Sequence, residues 1–233
     1  LQGRVMLAET IEHPGSRDTY NTIANWIHPS FPYSSTDKWD RYGFIGVFAD
    51  YVCSCTQGEI LEIGAGESSI YLTKVAQKYN RRIWHCDVSA SKLLNPMSIP
   101  GYIGYPRTYF EEREPIPNLE RVVCYAGTSD SMFKRLPIGQ VAIAFIDGDH
   151  IYEQAKRDFN NLWPLVVEDG YVLLHDTYPP DIGWTDENHC GEVYRLRQEI
   201  EKMPDADCLT LTKGTAIGVG LTIVRKHRKG YEF

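Results

Sequence analysis

Through the centre of the chain, short unbroken apolar runs alternate with stretches whose apolar residues recur every three or four positions. The runs are EILEIG at 59–64, RIWHCDV at 82–88, RVVCYAG at 121–127, VAIAFID at 141–147 and GYVLLHD at 170–176. Their length and β-branched content predict strands, and their continuous apolarity predicts burial on both faces. Helical periods are predicted at 38–53, where Tyr42, Ile45, Phe48, Ala49 and Val52 share a stripe, and at 68–79, 152–162 and 191–202. Gly43 and Gly46 weaken the first of these, since each costs a helix about 1 kcal/mol relative to Ala. Strands alternating with helices imply a parallel sheet covered on both sides.

The end of the chain breaks this rhythm. CLTLT and GVGLTIV are separated only by KGTAI, too short for a helical crossover, so the last strand is expected to run antiparallel to its neighbour. The predicted fold is α/β in three layers, doubly wound around a mostly parallel seven-stranded sheet. The domain is expected over 38–233, after a 1–37 extension that ends in the turn-rich HPSFPYSSTD. Residues 92–119, rich in Pro and Tyr, fit no element, and so long a loop is expected to be a lid.

Composition narrows the function classes. The 233 residues are 42% hydrophobic and 24% charged, enough for one substantial core. A net charge of -7 argues against a grip on nucleic acid or on an anionic membrane, and RKHRKG reads as a solvated tail. No apolar run is long enough to span a bilayer and no basic-then-apolar leader opens the chain, so a cytoplasmic protein is expected. The six cysteines are expected to be free thiols, since CSC lacks zinc spacing.

Candidate chemistry gathers at the strand ends. In ILEIGAGESSIYL the first predicted strand enters a helix through Gly64, Ala65 and Gly66, with Ser68 or Ser69 as candidate cap. Ser69 stands where a dinucleotide fingerprint has its third glycine, which weakens a pyrophosphate reading. Glu62 suits a ligand bearing an ammonium group. Asp87 closes the second strand about twenty residues on, where an acid can accept ribose hydroxyls. Ser129 and Asp130 follow the third, Asp147, Asp149 and His150 the fourth, and His175 and Asp176 the fifth.

The ordered segments LEIGAGESS, HCDVS, GTSD, FIDGDH and LLHDT, closed by a terminal hairpin, resemble class I S-adenosylmethionine-dependent methyltransferases. Within them the chain is similar to small-molecule O-methyltransferases, including those of sugars, macrolides and cephalosporin biosynthesis. The resemblance implies S-adenosylmethionine held by Glu62, Gly64, Ala65, Gly66, Ser69, Asp87 and Ser129. Methyl transfer to a sugar or catechol hydroxyl needs a base or a cation at the oxygen. Asp147 and Asp176, with His175, are candidate ligands for Mg2+, and His150 is the candidate base, with Asp149 a helix cap or its orienting partner. Metal-using relatives usually carry two adjacent acidic or amide residues where this chain has His175 and Asp176, which puts the metal in question.

The expected partner is a small molecule offering a sugar hydroxyl, held by Tyr102, Tyr105, Tyr109 and Phe110 of the 92–119 loop. A homo-oligomer is left open. The alternative is a catalytically inactive fold that binds a nucleoside or a protein. An NAD-dependent oxidoreductase fits less well, lacking the third glycine.

Overall fold

A computed structural model describes residues 43–93, 121–186, 188–212 and 219–228, together with the backbone of 107–110. The elements in chain order are α1 (Gly43–Cys55), β1 (Glu59–Ile63), α2 (Ser68–Lys78), β2 (Ile83–Asp87), β3 (Arg107–Phe110) and β4 (Val122–Ala126). They continue with α3 (Ser129–Arg135), β5 (Val141–Ile146), α4 (Tyr152–Leu162), β6 (Val166–His175), α5 (Val193–Ile200), β7 (Ala206–Leu211) and β8 (Leu221–Lys226).

The sheet order is β3-β4-β2-β1-β5-β6-β8-β7. Strands β4, β2, β1, β5 and β6 pair in parallel, while β8 runs antiparallel between β6 and β7. These seven strands form the expected doubly wound sheet with its antiparallel last strand. An eighth, β3, pairs parallel to β4 at the edge. It lies within 92–119, where no element was predicted, and it contains Tyr109 and Phe110, two of the residues assigned to the acceptor loop. Tyr102, Tyr105 and most of that loop lie outside the described residues, as do the 1–37 extension and the start of the 38–53 helix.

Alternation along each central strand feeds two cores. Ile60, Ile83, Cys124, Ile143, Phe145 and Leu173 face α1 and α2, where Phe44, Ile45, Val52, Leu72 and Val75 cover them. Leu61, Trp84, Val123, Ala144, Val172 and Leu174 face the other way, onto Met132, Phe159, Leu162, Leu196 and Ile200. Strands buried on both faces need apolar residues at every position, which explains the unbroken runs. Gly46 has a packing role, because a Cβ there would lie 2.8 Å from Cβ of Tyr71 on α2. The bare Cα lets the helices touch, a gain that offsets the weak helix propensity.

All six cysteines are free, four of them buried. Among the described residues no helix is long and apolar enough to cross a membrane.

Candidate active site

Every residue predicted for the cofactor, the cation or the base lies at or beside the carboxyl ends of β1, β2, β4, β5 and β6, the rim where open α/β sheets bind ligands. The rim divides into a glycine-turn half and an acid–histidine half, joined by one backbone contact.

In the first half, β1 enters α2 through Gly64, whose φ of +88° is open to glycine and strained for other residues. Asp87 secures the turn from the neighbouring strand, its Oδ2 accepting from the Ala65 amide at 3.0 Å and its Oδ1 from the Ser89 amide at 2.7 Å. An ionised carboxylate has about four acceptor sites, so capacity for a ligand's hydroxyls remains. A Cβ built on Gly66 would meet nothing within 4 Å. That open space suits a ligand lying against the turn, so the residues present fit a nucleoside cofactor.

Glu62 and Ser69 are placed differently from expectation. Glu62 is fully buried, and its two oxygens accept from Ser68 Oγ and Ser69 Oγ, each at 2.5 Å. Its Oε2 also meets His85 Nδ1 at 2.5 Å, and the other ring nitrogen of His85 meets Thr73 Oγ1 at 2.9 Å. The serines therefore do not cap α2 from in front. They tie its first turn down onto β1, and Ser69 Oγ accepts from the Gly66 amide at 3.0 Å as well. The available sequence signal for His85 was a histidine inside an otherwise apolar strand.

Ser129 begins α3, but the cap is Thr128, whose side chain accepts from the Ser131 amide. The Ser129 hydroxyl donates to Asp158 on α4, and Gln154 Nε2 donates to Ser129 Oγ at 3.1 Å. Burial pushes the Asp158 carboxyl up to about 6, against the hydrogen bonds from Ser129 and Gln154. Asp158 was absent from the predicted site, since nothing in an amphipathic helix marks one inward carboxylate.

In the second half, Asp147 follows β5, His175 ends β6 and Asp176 comes next, with a ligand atom of each within 4.8 Å of the others. Asp176 has a φ of +57°, a left-handed conformation that Asp tolerates better than most side chains. His175 Nδ1 lies 3.3 Å from Asp147 Oδ1 and 3.1 Å from Asp176 Oδ1. Burial disfavours a charged imidazole at His175, but the two carboxylates outweigh it and raise its pKa to about 10. Burial likewise opposes an ionised Asp176, yet His150 and His175 hold its carboxyl down at about 2.

His150 joins the cluster through Asp176, its Nε2 lying 2.9 Å from Oδ2. That bond raises the His150 pKa above the ordinary value against the opposing effect of burial. Asp149 neither touches His150 nor caps the first turn of α4. Its Oδ1 accepts from the Ile151 amide at 2.9 Å, just ahead of the helix. The two carboxylates supply the oxygen donors that a hard divalent cation takes and so fit one, while the His175 imidazole could join them only by losing its proton.

The halves meet where Gly64 passes over the end of β5. A Cβ on Gly64 would lie 1.9 Å from the Asp147 carbonyl oxygen, and the Asp147 amide donates to Ile63 at 2.8 Å. A ligand on the glycine turn is therefore the immediate neighbour of the acid–histidine cluster.

No curated protein is close enough in sequence to count as a match. Solved structures do resemble the chain. A protein of Corynebacterium glutamicum superposes with a TM-score of 0.61 at 13% identity, over 91% of this chain and 99% of its own. The O-methyltransferase TomG of Streptomyces achromogenes, involved in tomaymycin synthesis and solved with S-adenosylmethionine, gives 0.57 at 17% identity over 89% of each chain. An O-methyltransferase of Bacillus cereus in complex with S-adenosylhomocysteine gives 0.56 at 16%, over 94% of this chain and 90% of its own. At such identities the likeness shows the fold. The family model described as a methyltransferase domain matches residues 61–177, half of the chain, from within β1 to just past Asp176. Since that span carries the glycine turn and the acid–histidine cluster together, the chain belongs to the methyltransferase-domain family.

Proposed function

We propose that this protein is an S-adenosylmethionine-dependent O-methyltransferase acting on a hydroxyl of a sugar or glycosylated small molecule. In this reading His150 is the general base, and Asp147, His175 and Asp176 would hold Mg2+. The observation that carries it is the contact of Gly64 with the Asp147 carbonyl, which brings a candidate cofactor turn against a candidate cation ligand. The O-methyltransferase neighbours solved with S-adenosylmethionine or S-adenosylhomocysteine support the same cofactor here.

The cofactor supplies a methyl group on a sulfonium, and the cation lowers the pKa of an oxygen bound to it. The chain supplies the rest. Asp87 holds the turn and offers spare acceptor capacity to ribose hydroxyls, while Gly64, Ala65 and Gly66 let the ligand approach the backbone. Glu62 and Ser69 act from beneath by fixing α2 under the turn. Ser129, its hydroxyl engaged by Asp158, borders the adenine end. Asp176 orients His150 through Nε2, so the hydroxyl proton goes to the other ring nitrogen, Nδ1. S-adenosylmethionine held by Asp87 and the glycine turn would supply the methyl group to the oxygen that His150 deprotonates, leaving as S-adenosylhomocysteine.

The test is incubation with methyl-labelled S-adenosylmethionine and a panel of glycosides, with and without Mg2+. Label should reach a glycoside oxygen with the wild type and be strongly reduced with His150→Ala. Retention of S-adenosylhomocysteine with no transfer to any hydroxyl would assign the fold to binding alone.

A further inference from the structure

Where β6 reaches the rim, its ladder with β8 slips by one residue. The pairing of His175 with Leu221, if continued, sets Thr177 opposite Val219. Instead the Thr177 amide donates to the Gly220 carbonyl at 3.4 Å and the Tyr178 amide to the Val219 carbonyl at 2.8 Å. The residue taken up by the slip is Asp176. Its φ of +57° is the left-handed value found at the first position of a bulge, where glycine is usual.

A bulge re-aims the side chain it carries. Here the carboxylate divides between two rings, Oδ1 lying 3.1 Å from His175 Nδ1 and Oδ2 2.9 Å from His150 Nε2. His150 is fixed independently, since its carbonyl accepts from the Glu192 amide at 2.9 Å. Its backbone is therefore not free to follow a carboxylate that turns away, and the pair lasts only while the bulge keeps its form.

Left-handed backbone at a residue with a side chain persists where the surroundings over-determine it. Two contacts around the start of β8 do so. The Thr222 hydroxyl donates to the Thr177 hydroxyl at 2.8 Å, both residues being fully buried. With that proton spent, Thr222 Oγ1 accepts from Thr210 Oγ1 at 2.9 Å, so the row of hydroxyls reaches β7 at the edge of the sheet. The second contact is at Gly220, φ +95°, where a Cβ would lie 2.4 Å from Tyr178 Cβ and 2.5 Å from its amide nitrogen. Valine has the shape of threonine, so packing alone does not call for buried hydroxyls in a row. What they add is a directed bond on the residue beside Asp176.

We infer that Thr177 and Thr222 are positioning residues: the bond between their hydroxyls locks the bulge that aims Asp176 at His150. For its effect on turnover this rests on the proposed O-methyltransferase reading; for the aim of the carboxylate it does not.

The test follows the Nε2 proton of His150 by NMR in the full chain carrying isotope-labelled histidine, near neutral pH, the signal being assigned by its loss in His150→Ala. A proton held by Asp176 exchanges slowly with water and is seen, whereas a released one is not. Thr177→Val, which keeps the shape and removes the hydroxyl, should lose the signal, and Thr177→Ser should retain it. Thr222→Val should lose it from the other side of the bond, and decides the matter by itself if Thr177→Val does not fold. Turnover with methyl-labelled S-adenosylmethionine should follow the signal, falling at least about tenfold in the valine variants and less than about threefold in Thr177→Ser. Affinity for S-adenosylhomocysteine should stay within about twofold in all three.

Hydroxyls that serve stability alone would lower the urea midpoint in the valine variants and leave signal and turnover intact, a result that overturns the inference. So does Thr177→Ser losing the signal as fully as Thr177→Val. Signal lost in the valine variants of a protein whose wild type methylates no hydroxyl keeps the positioning of Asp176 and rejects the reaction.

Discussion

Glu62 and His85 occupy paired positions on adjacent parallel strands, and their side chains meet at 2.5 Å with neither exposed to water. Around them Ser68, Ser69 and Thr73 complete a closed network beneath the glycine turn. Removing the carboxylate leaves three donors buried without their acceptor. Glu62→Ala should therefore cost roughly 2–4 kcal/mol of stability, read by urea denaturation, and loosen cofactor binding as a consequence. Wild-type stability combined with weakened cofactor binding would instead mean that Glu62 touches the ligand directly.

Gly64 bears the closest backbone approach in the site. An alanine there meets both the strain of a φ of +88°, on the order of 1–3 kcal/mol, and an obstructing carbonyl at 1.9 Å. Gly64→Ala should separate the turn from Asp147, abolishing cofactor binding or folding. Gly66→Ala, where a Cβ meets nothing of the protein, should keep wild-type stability and weaken S-adenosylhomocysteine binding. Equal stability of the two variants in urea would refute the difference drawn between these glycines.

Asp158 gives the fold a pH dependence of unusual sign for a carboxylate. Its folded pKa of about 6 lies above the ordinary 3.8 of an aspartate, so the folded state binds the proton more tightly than the unfolded chain. Its contribution is most favourable below the unfolded value and is lost as pH rises through the folded one, amounting to roughly 3 kcal/mol at most. Asp158→Asn should gain stability over wild type above pH 6 and lose that advantage near pH 4. Denaturation at both pH values checks this, and a pH-independent difference would count against it.

For His150→Ala the expected fall in turnover is about 10² to 10⁴, the ordinary value of a general base, with cofactor affinity nearly unchanged. Loss of cofactor binding along with turnover would show that the backbone at Glu192, whose amide donates to the His150 carbonyl, had moved, and would leave the base unassigned.

Chelation separates cation from base. With Asp147, His175 and Asp176 as ligands, exhaustive chelator treatment should abolish methyl transfer, spare S-adenosylhomocysteine binding and be reversed by Mg2+. Unaltered turnover after chelation would leave proton removal to His150 alone.

Sequence patterning carried the sheet well because parallel strands buried on both faces leave unbroken apolar runs, and the short KGTAI link required the antiparallel β8. It failed at β3, whose RTYF is too short and too polar to stand out from its surroundings. At the rim, positions were legible and directions were not. Glu62 and Asp87 both end apolar runs beside the glycines, yet one turns inward to two serines and a histidine while the other holds the turn. That difference depends on which face of the pleat each occupies and on what α2 brings opposite, neither of which strand periodicity alone reveals. Asp158 and the Glu192 amide that donates to the His150 carbonyl were illegible for a related reason, since their partners are distant in sequence.

The place of β8 also bears on how the chain reaches this state during synthesis. Strand β7 leaves the ribosome before β8, yet among the described residues it pairs with β8 alone, which lies between it and β6. Until β8 emerges, β7 has no ladder to join and β6 offers a bare edge ending at His175 and Asp176. Before β8 is made, β6 and the His175 and Asp176 at its end are therefore supported by β5 alone, and an open strand edge of this kind invites pairing with another chain.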